Sequence, residues 1–321
     1  MPFFSCTVEA SITPGLRLDR YAAENLKLLS RSQIKARNFK ALLNGKPVKI
    51  SHLLKGGERL ELSWAEAESP FLVPQDLPLD LVYEDNRVIV VNKAQGMVVH
   101  PGAGNRQGTL ANALFYRRLQ KNYGFINGDH GFEASLRPGL VHRLDKDTSG
   151  VIIAAWDEAA HAFLAEQFKA RRVKKSYAAF VHGCPKEKQG CIEKRIVRSR
   201  RDRKTFTVSD REGRHSTTYF KLVRCYGDCS LLLLRPKTGR THQLRVHMKY
   251  LGNPILGDPL YGRDYSRLKL TLMLHAKNLS LFLPQEQSLA VDARKRKTFR
   301  TPFPERFRDF IFSLTDGKFK S

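Results

Sequence analysis

At 321 residues with 41% hydrophobic side chains, the chain is long enough for two domains and can bury a sizeable core. Its 56 Lys and Arg outnumber its 31 Asp and Glu, leaving a net charge of +25 that attracts polyanions, nucleic acid first among them. The longest apolar runs, 151–156 and 231–234, are far too short to span a membrane, and Met1-Pro2-Phe3-Phe4-Ser5-Cys6 lacks the basic and apolar regions of a secretion signal, so a cytoplasmic protein without membrane attachment is expected.

Residues 18–29 place Leu18, Tyr21, Ala22, Leu26 and Leu29 close to helical spacing. Ser30-Arg31-Ser32 supplies an N-cap for a second helix running towards Leu43 and crowded with Arg31, Lys35, Arg37 and Lys40. Asn44-Gly45 signals a turn, and 48–62 reads as two short strands turned by Lys55-Gly56-Gly57. Residues 14–62 thus form a small α+β module with a thin core. Acidic residues with Pro70, Pro74 and Pro78 make 63–78 a linker, and a second domain is expected over 79–314.

Beyond Leu79, strands and helices alternate irregularly, which favours α+β over a doubly wound parallel sheet. Gly102, Gly104 and Gly108 lie between a strand and the helical stretch 109–119. The third glycine comes one residue late for a dinucleotide fingerprint, so a tight loop exploiting glycine's backbone freedom is the better reading. The stretch His142-Arg143-Leu144-Asp145-Lys146-Asp147-Thr148-Ser149-Gly150 then sets a carboxylate between Arg143 and Lys146, just ahead of the apolar run 151–156. Catalytic groups tend to sit on such loops, because a buried strand fixes what the loop presents. By composition alone the same residues make an ordinary solvated turn. Asp147-Thr148-Ser149-Gly150 lacks the second copy that a proton-sharing carboxylate pair needs.

Cationic runs follow at Arg171, Arg172, Lys174 and Lys175, then at Arg195, Arg198, Arg200, Arg201, Arg203 and Lys204. They read either as phosphate-neutralising surfaces or as a solvated cationic face. The cysteines number five, and Cys184, Cys191, Cys225 and Cys229 miss the short spacing of a zinc knuckle. Reduced thiols and no metal are expected. The apolar strand around 230–234 leads into Lys237-Thr238-Gly239-Arg240-Thr241-His242-Gln243-Leu244-Arg245-Val246-His247. Thr241 is a candidate N-cap and Gly252 a candidate stop for a helix burying Leu244, Met248 and Leu251. His242, Arg245 and Lys249 fall on a neighbouring stripe, an anion-binding arrangement near a helix start.

Together these two clusters resemble the RluA-type family of RNA pseudouridine synthases. Asn92-Lys93, His100-Pro101-Gly102, Lys174-Lys175-Ser176-Tyr177-Ala178, Gly257-Asp258-Pro259-Leu260-Tyr261-Gly262 and Leu274-His275-Ala276 match in the family's order. The chain is most similar to the large-subunit rRNA synthase D branch. Its N-terminal module resembles an S4 RNA-binding domain through Arg17-Leu18-Asp19-Arg20-Tyr21, Ser30-Arg31-Ser32 and Asn44-Gly45. Two departures stand out: Ala94 follows Asn92-Lys93 where the family has proline, and the stretch 30–44 is shorter than the S4 pattern.

The resemblance implies an α+β catalytic domain with a mainly antiparallel mixed sheet, preceded by the S4-like domain. It implies Asp145 as nucleophile at the uridine's sugar or base, Arg245 as the carboxylate's partner, and Tyr177 packing on the target base. Arg143 would hold the extruded nucleotide. His142, Arg240 and His242 would contact RNA beside it, as would Arg31 and Lys35 in the S4-like module. An isomerisation needs no cofactor. The expected partner of this monomer is RNA, in large-subunit rRNA or pre-ribosomal particles. A synthase acting on transfer RNA, or a non-catalytic ribosome-assembly protein built from the same modules, are the alternatives.

Overall fold

The computed structural model describes residues 2–36, 38–65, 72–102, 104–123, 139–262, 270–284 and 296–315, the side chains of Ser32, Lys35, Ala36 and Thr315 excepted. The chain divides into two compact units, Met1–Pro70 and Phe71–Ser321. Residues 66–71 of the expected linker and Arg37 lie outside the described residues.

The N-terminal unit is built on a four-stranded antiparallel sheet in the order β1-β4-β2-β3. Its strands are β1 (Phe3–Thr7), β2 (Lys40–Leu43), β3 (Lys46–Val48) and β4 (Arg59–Ser63). β1 pairs with β4 ahead of the expected start at residue 14. The first helix is shorter than its apolar spacing suggests: α1 (Leu18–Arg20) runs into a π-helical turn, Tyr21–Asn25. The second, α2 (Arg31–Ala36), stops well before Leu43. Asn38 there takes a left-handed backbone (φ 47°), which asparagine tolerates better than most residues, and the chain continues as β2. The tight hairpin joins β2 to β3 through Asn44 and Gly45, both at positive φ, as a two-residue turn requires. The hairpin expected around Lys55-Gly56-Gly57 is therefore not formed, since β2 lies between β3 and β4. Leu18, Tyr21, Ile34, Leu43, Leu60 and Leu62 close a small core.

In the second unit, ten strands of the described residues form one sheet, and only one of its pairings is parallel. β5 (Leu81–Glu84), β6 (Val88–Lys93) and β7 (Ser149–Ala155) make one end. β13 (Leu274–Leu281) joins β7 to β8 (Lys174–His182), and β14 (Lys297–Arg300) pairs with β13. Beyond β8 come β12 (Cys229–Pro236), β11 (Arg214–Cys225), β9 (Gln189–Arg198) and β10 (Phe206–Ser209). The helices are α3 (Leu110–Gln120), α4 (Glu158–Lys169), α5 (Gln243–Tyr250) and α6 (Glu305–Thr315). This is the expected α+β, mainly antiparallel arrangement. None of the described helices is long and apolar enough to cross a membrane.

Every residue of β7 is buried, which explains its unbroken apolar sequence: with β6 and β13 on either side and helices packed on it, it has no wet face. Burial of Val151, Ile152 or Ile153 stabilises the fold by about 1.5–3 kcal/mol each. Gly150 at its start has φ 117°, and a Cβ there would run into the Ala276 backbone of β13. The glycine of the 142–150 stretch thus permits close approach of two parallel strands. The Gly-rich segment is a tight loop closed by paired backbone hydrogen bonds between Gly102 and Asn105, with Ala103 outside the described residues. It ends at Thr109, which caps α3.

One cysteine expectation is overturned. Cys184 and Cys225 are joined as a disulfide, with Cα atoms 5.9 Å apart. Cys184 lies just past β8 and Cys225 ends β11, two strands away; the turn after β8 reaches over the β11–β12 hairpin, where the Gly183 N–H meets the Asp228 carbonyl. Cys6, Cys191 and Cys229 are free thiols.

Candidate active site

Asp145 sits in a turn closed by the Thr148 N–H on its own carbonyl (3.1 Å), immediately before β7. Three contacts hold that turn. The Gly96 N–H donates to the Lys146 carbonyl (3.0 Å), and the Gln95 side-chain amide bridges the carbonyls of Asp147 and Leu272. Lys93 is the third: its buried Nζ donates to the carbonyls of Ala94, Met97 and Lys146 at 2.8, 2.8 and 3.0 Å. Burial pushes its pKa down to about 7. Leu144 points into the core, so neighbouring residues of the turn are anchored while Asp145 stays partly accessible.

The carboxylate opens onto a cavity of about 440 Å³ lined also by Arg143, Tyr177, Lys175, Arg240, His242 and Arg245, within the range of small-ligand sites. Tyr177 projects from β8, opposite Leu234 of β12 and Ala276 of β13. Burial, reinforced by the Asp145 charge, raises its phenol well above the usual tyrosine value. At neutral pH it is therefore a packing surface and a hydroxyl donor rather than a base. Arg143 is exposed at the rim, and Arg240 donates to the His215 carbonyl at 3.2 Å.

Arg245 is almost fully buried on α5, and its strongest partner is one the sequence reading did not assign. Its Nε and Nη2 form a fork onto Asp258 at 2.7 and 2.6 Å, while Nη1 lies 3.7 Å from Asp145. Burial works against its charge, but the Asp258 hydrogen bonds and the charges of Asp258 and Asp145 outweigh it, raising its pKa. Asp258 in turn accepts the Leu260 and Tyr261 N–H groups. The result is a fixed cation with one edge turned to Asp145, locked from behind by a second carboxylate. The signal was present in Gly257-Asp258-Pro259, but nothing local in the sequence ties it to Arg245.

The loop before α5 also differs from expectation. Thr241 does not cap the helix; His242 takes that position with a left-handed backbone, φ 55°. Gln243 does the organising. Its Oε1 accepts the Arg240 N–H and the Thr238 hydroxyl, and its Nε2 donates to Thr217 and Thr218 of β11. His242 is thereby left free to face Asp145 (Nε2 to Oδ2, 4.0 Å) and to contact the hydroxyl of Tyr261. Gly252, with φ 87°, does follow the end of the helix.

His142 lines the cavity wall but brings no charge to it. Its Nε2 accepts the Ile153 N–H (3.1 Å), its ring stacks on Phe168, and burial followed by the Lys175 charge pushes its pKa down to about 3. The ring is therefore neutral at neutral pH, and it reaches the cavity as an uncharged, partly accessible surface. Arg31 belongs to the N-terminal unit, where it pairs with Asp19 at 3.3 Å; the Lys35 side chain lies outside the described residues.

Residues 87–250 match the family model described as RNA pseudouridylate synthase. The chain is 43% identical to ribosomal large subunit pseudouridine synthase D of Borreliella burgdorferi, covering 92% of this chain and 89% of that protein. It is 41% identical to the protein of the same name from Xanthomonas campestris, over 77% and 72% of the two chains. Among solved structures, human RNA pseudouridylate synthase domain containing 4 superposes with a TM-score of 0.55 at 26% identity, over 74% of this chain and 93% of that one. With this similarity running through the segments that carry Asp145, Tyr177 and Arg245, the chain belongs to the RNA pseudouridylate synthase family and is an isomerase of RNA uridines.

Proposed function

We propose that this synthase modifies uridines of large-subunit ribosomal RNA, using Asp145 as its nucleophile. The observation that carries the catalytic part is the placement of Asp145, partly accessible at a cavity, 3.7 Å from a buried and carboxylate-locked Arg245. Such a cation orients the carboxylate towards the cavity. The names of the D-type relatives support the RNA assignment. Arg143 at the rim helps hold the extruded nucleotide, and Tyr177 packs against the uracil. Asp145 bonds to the sugar C1′ or to the base and is released again before product leaves; by either route the N1–C1′ bond breaks, C1′ rejoins at C5, the C5 proton leaves and N1 gains one. No redox partner enters that balance.

In this proposal the protein is a cytoplasmic monomer, and its N-terminal unit is an S4-like module that adds RNA affinity. Deleting residues 1–75 then raises the RNA concentration needed for activity, and an unchanged dependence refutes that role. Chemical mapping of pseudouridine in rRNA from cells with and without the protein tests the substrate. Loss of discrete sites in large-subunit rRNA is expected. Unchanged rRNA with lost transfer-RNA sites would favour the transfer-RNA reading, and a protein that binds RNA but modifies none would favour the assembly-protein reading.

A further inference from the structure

The hydroxyl of Tyr261 stands between two nitrogen atoms. It accepts the backbone N–H of Phe206 at 2.8 Å, and it lies 2.8 Å from Nδ1 of His242. Tyr261 is buried, with 2% exposure, so its own proton needs an acceptor among its neighbours. If His242 carried its proton on Nδ1, the hydroxyl would accept twice and its O–H would be left buried and unmatched, which is costly. The satisfied arrangement is Phe206 N–H to Tyr261 Oη, and Tyr261 O–H to His242 Nδ1. The imidazole proton is then on Nε2, the nitrogen 4.0 Å from Asp145 Oδ2.

Three further features fix this ring. The His242 backbone is held at φ 55° by the Gln243 clamp, and the rings of Phe206 and Tyr261 both stand edge-to-face to it at centroid distances of 5.7 and 5.5 Å. Ring rotation would forfeit both the hydrogen bond and the packing.

We propose that Tyr261 is a positioning residue that fixes His242 as the Nε2–H tautomer, making His242 a directed hydrogen-bond donor at the Asp145 carboxylate when a nucleotide occupies the cavity. The proposal rests on Asp145 being the reacting carboxylate; the tautomer itself does not. The charged groups facing His242 are Asp145 and Arg143 from the turn, Arg245 from α5, and Asp258 behind it. Burial and the two arginines oppose imidazolium formation, while the two carboxylates favour it. A hydroxyl donated to Nδ1 adds to the opposition, because it pairs only with the unprotonated nitrogen.

Long-range proton–nitrogen NMR on RNA-free protein labelled with ¹⁵N-histidine reads the tautomer directly. The wild type should show His242 protonated at Nε2 and bare at Nδ1; a proton on Nδ1 overturns the proposal without any variant. In Tyr261→Phe the proton should redistribute towards Nδ1. The His242 ring should titrate about one pH unit higher in the same spectra, and kcat should fall about tenfold with KM changed less than about twofold. A Tyr261→Phe enzyme with wild-type tautomer and ring titration, and only a lower melting temperature, would reduce Tyr261 to packing and sink the idea. An active Asp145→Asn enzyme with the expected tautomer would instead retire the nucleophile reading.

Discussion

Removing the carboxylate of Asp258 is the sharpest test of how the site is held. The Arg245 and Asp258 side chains are 5% and 0% exposed, so Asp258→Ala leaves a guanidinium in a place where water cannot replace its partner. Breaking a buried pair from one side costs about 3–5 kcal/mol, and two backbone N–H groups, at Leu260 and Tyr261, lose their acceptor as well. For a unit of this size that corresponds to a fall of about 10 °C in melting temperature. Among the described residues, Asp145 is the carboxylate that remains paired with the freed guanidinium, so activity should fall further than stability explains. Urea unfolding of Asp258→Ala, Arg245→Met and the double variant measures the coupling. The double variant should recover much of the single-variant loss, because no unpaired charge remains buried. A single-variant cost below about 1 kcal/mol, or strictly additive costs, would show that the fork is ornamental and that Arg245 is held by something else.

Other consequences can be measured alongside. Gly150→Ala forces a Cβ onto the Ala276 backbone at an unfavourable φ and should destabilise by about 3 kcal/mol or more, read by denaturant unfolding. His275 is fully buried between Ser149 and Thr301, and burial, aided by the charges of Arg306 and Lys277, pushes its pKa down to about 4. The unfolded chain takes up that proton near pH 6.5 while the native state refuses it until about 4, so native stability contributed by neutral His275 is full above 6.5 and is lost as pH falls towards 4. His275→Gln should flatten the acid limb by about 3 kcal/mol across that window; an unchanged limb would show that other groups cause it. Replacing Arg201, Arg203 and Lys204 by alanine in the exposed β9–β10 connection should weaken binding to all RNAs alike and lower the salt slope by up to about 3, measured by filter binding.

The features legible in the sequence were those coded by contiguous residues. The turn that carries Asp145 and the fully buried β7 behind it are adjacent, and a strand without a wet face reads as an unbroken apolar run. What escaped was long-range or overridden by neighbours. Asp258 meets Arg245 through a loop, and neither residue's surroundings in sequence announce the other. β2 falls inside the expected basic helix and carries its Lys40, yet it becomes a strand because Asn38 turns the chain and β4 pairs with it. Thr241 is a good cap by composition, but Gln243 satisfies the loop from inside, leaving His242 at the helix start. The Cys184–Cys225 bond joins residues 41 apart, a distance over which spacing carries no information about pairing.

The central claim is that Asp145 makes the covalent attack. Release of tritium from RNA labelled at uridine C5 measures the reaction directly, since that proton leaves only when the new carbon bond forms. Under single-turnover conditions with saturating enzyme, Asp145→Asn should cut the release rate by about 10³-fold or more, about 4 kcal/mol in barrier, with RNA affinity kept within a few-fold. Release from the asparagine variant at the wild-type rate would contradict the account.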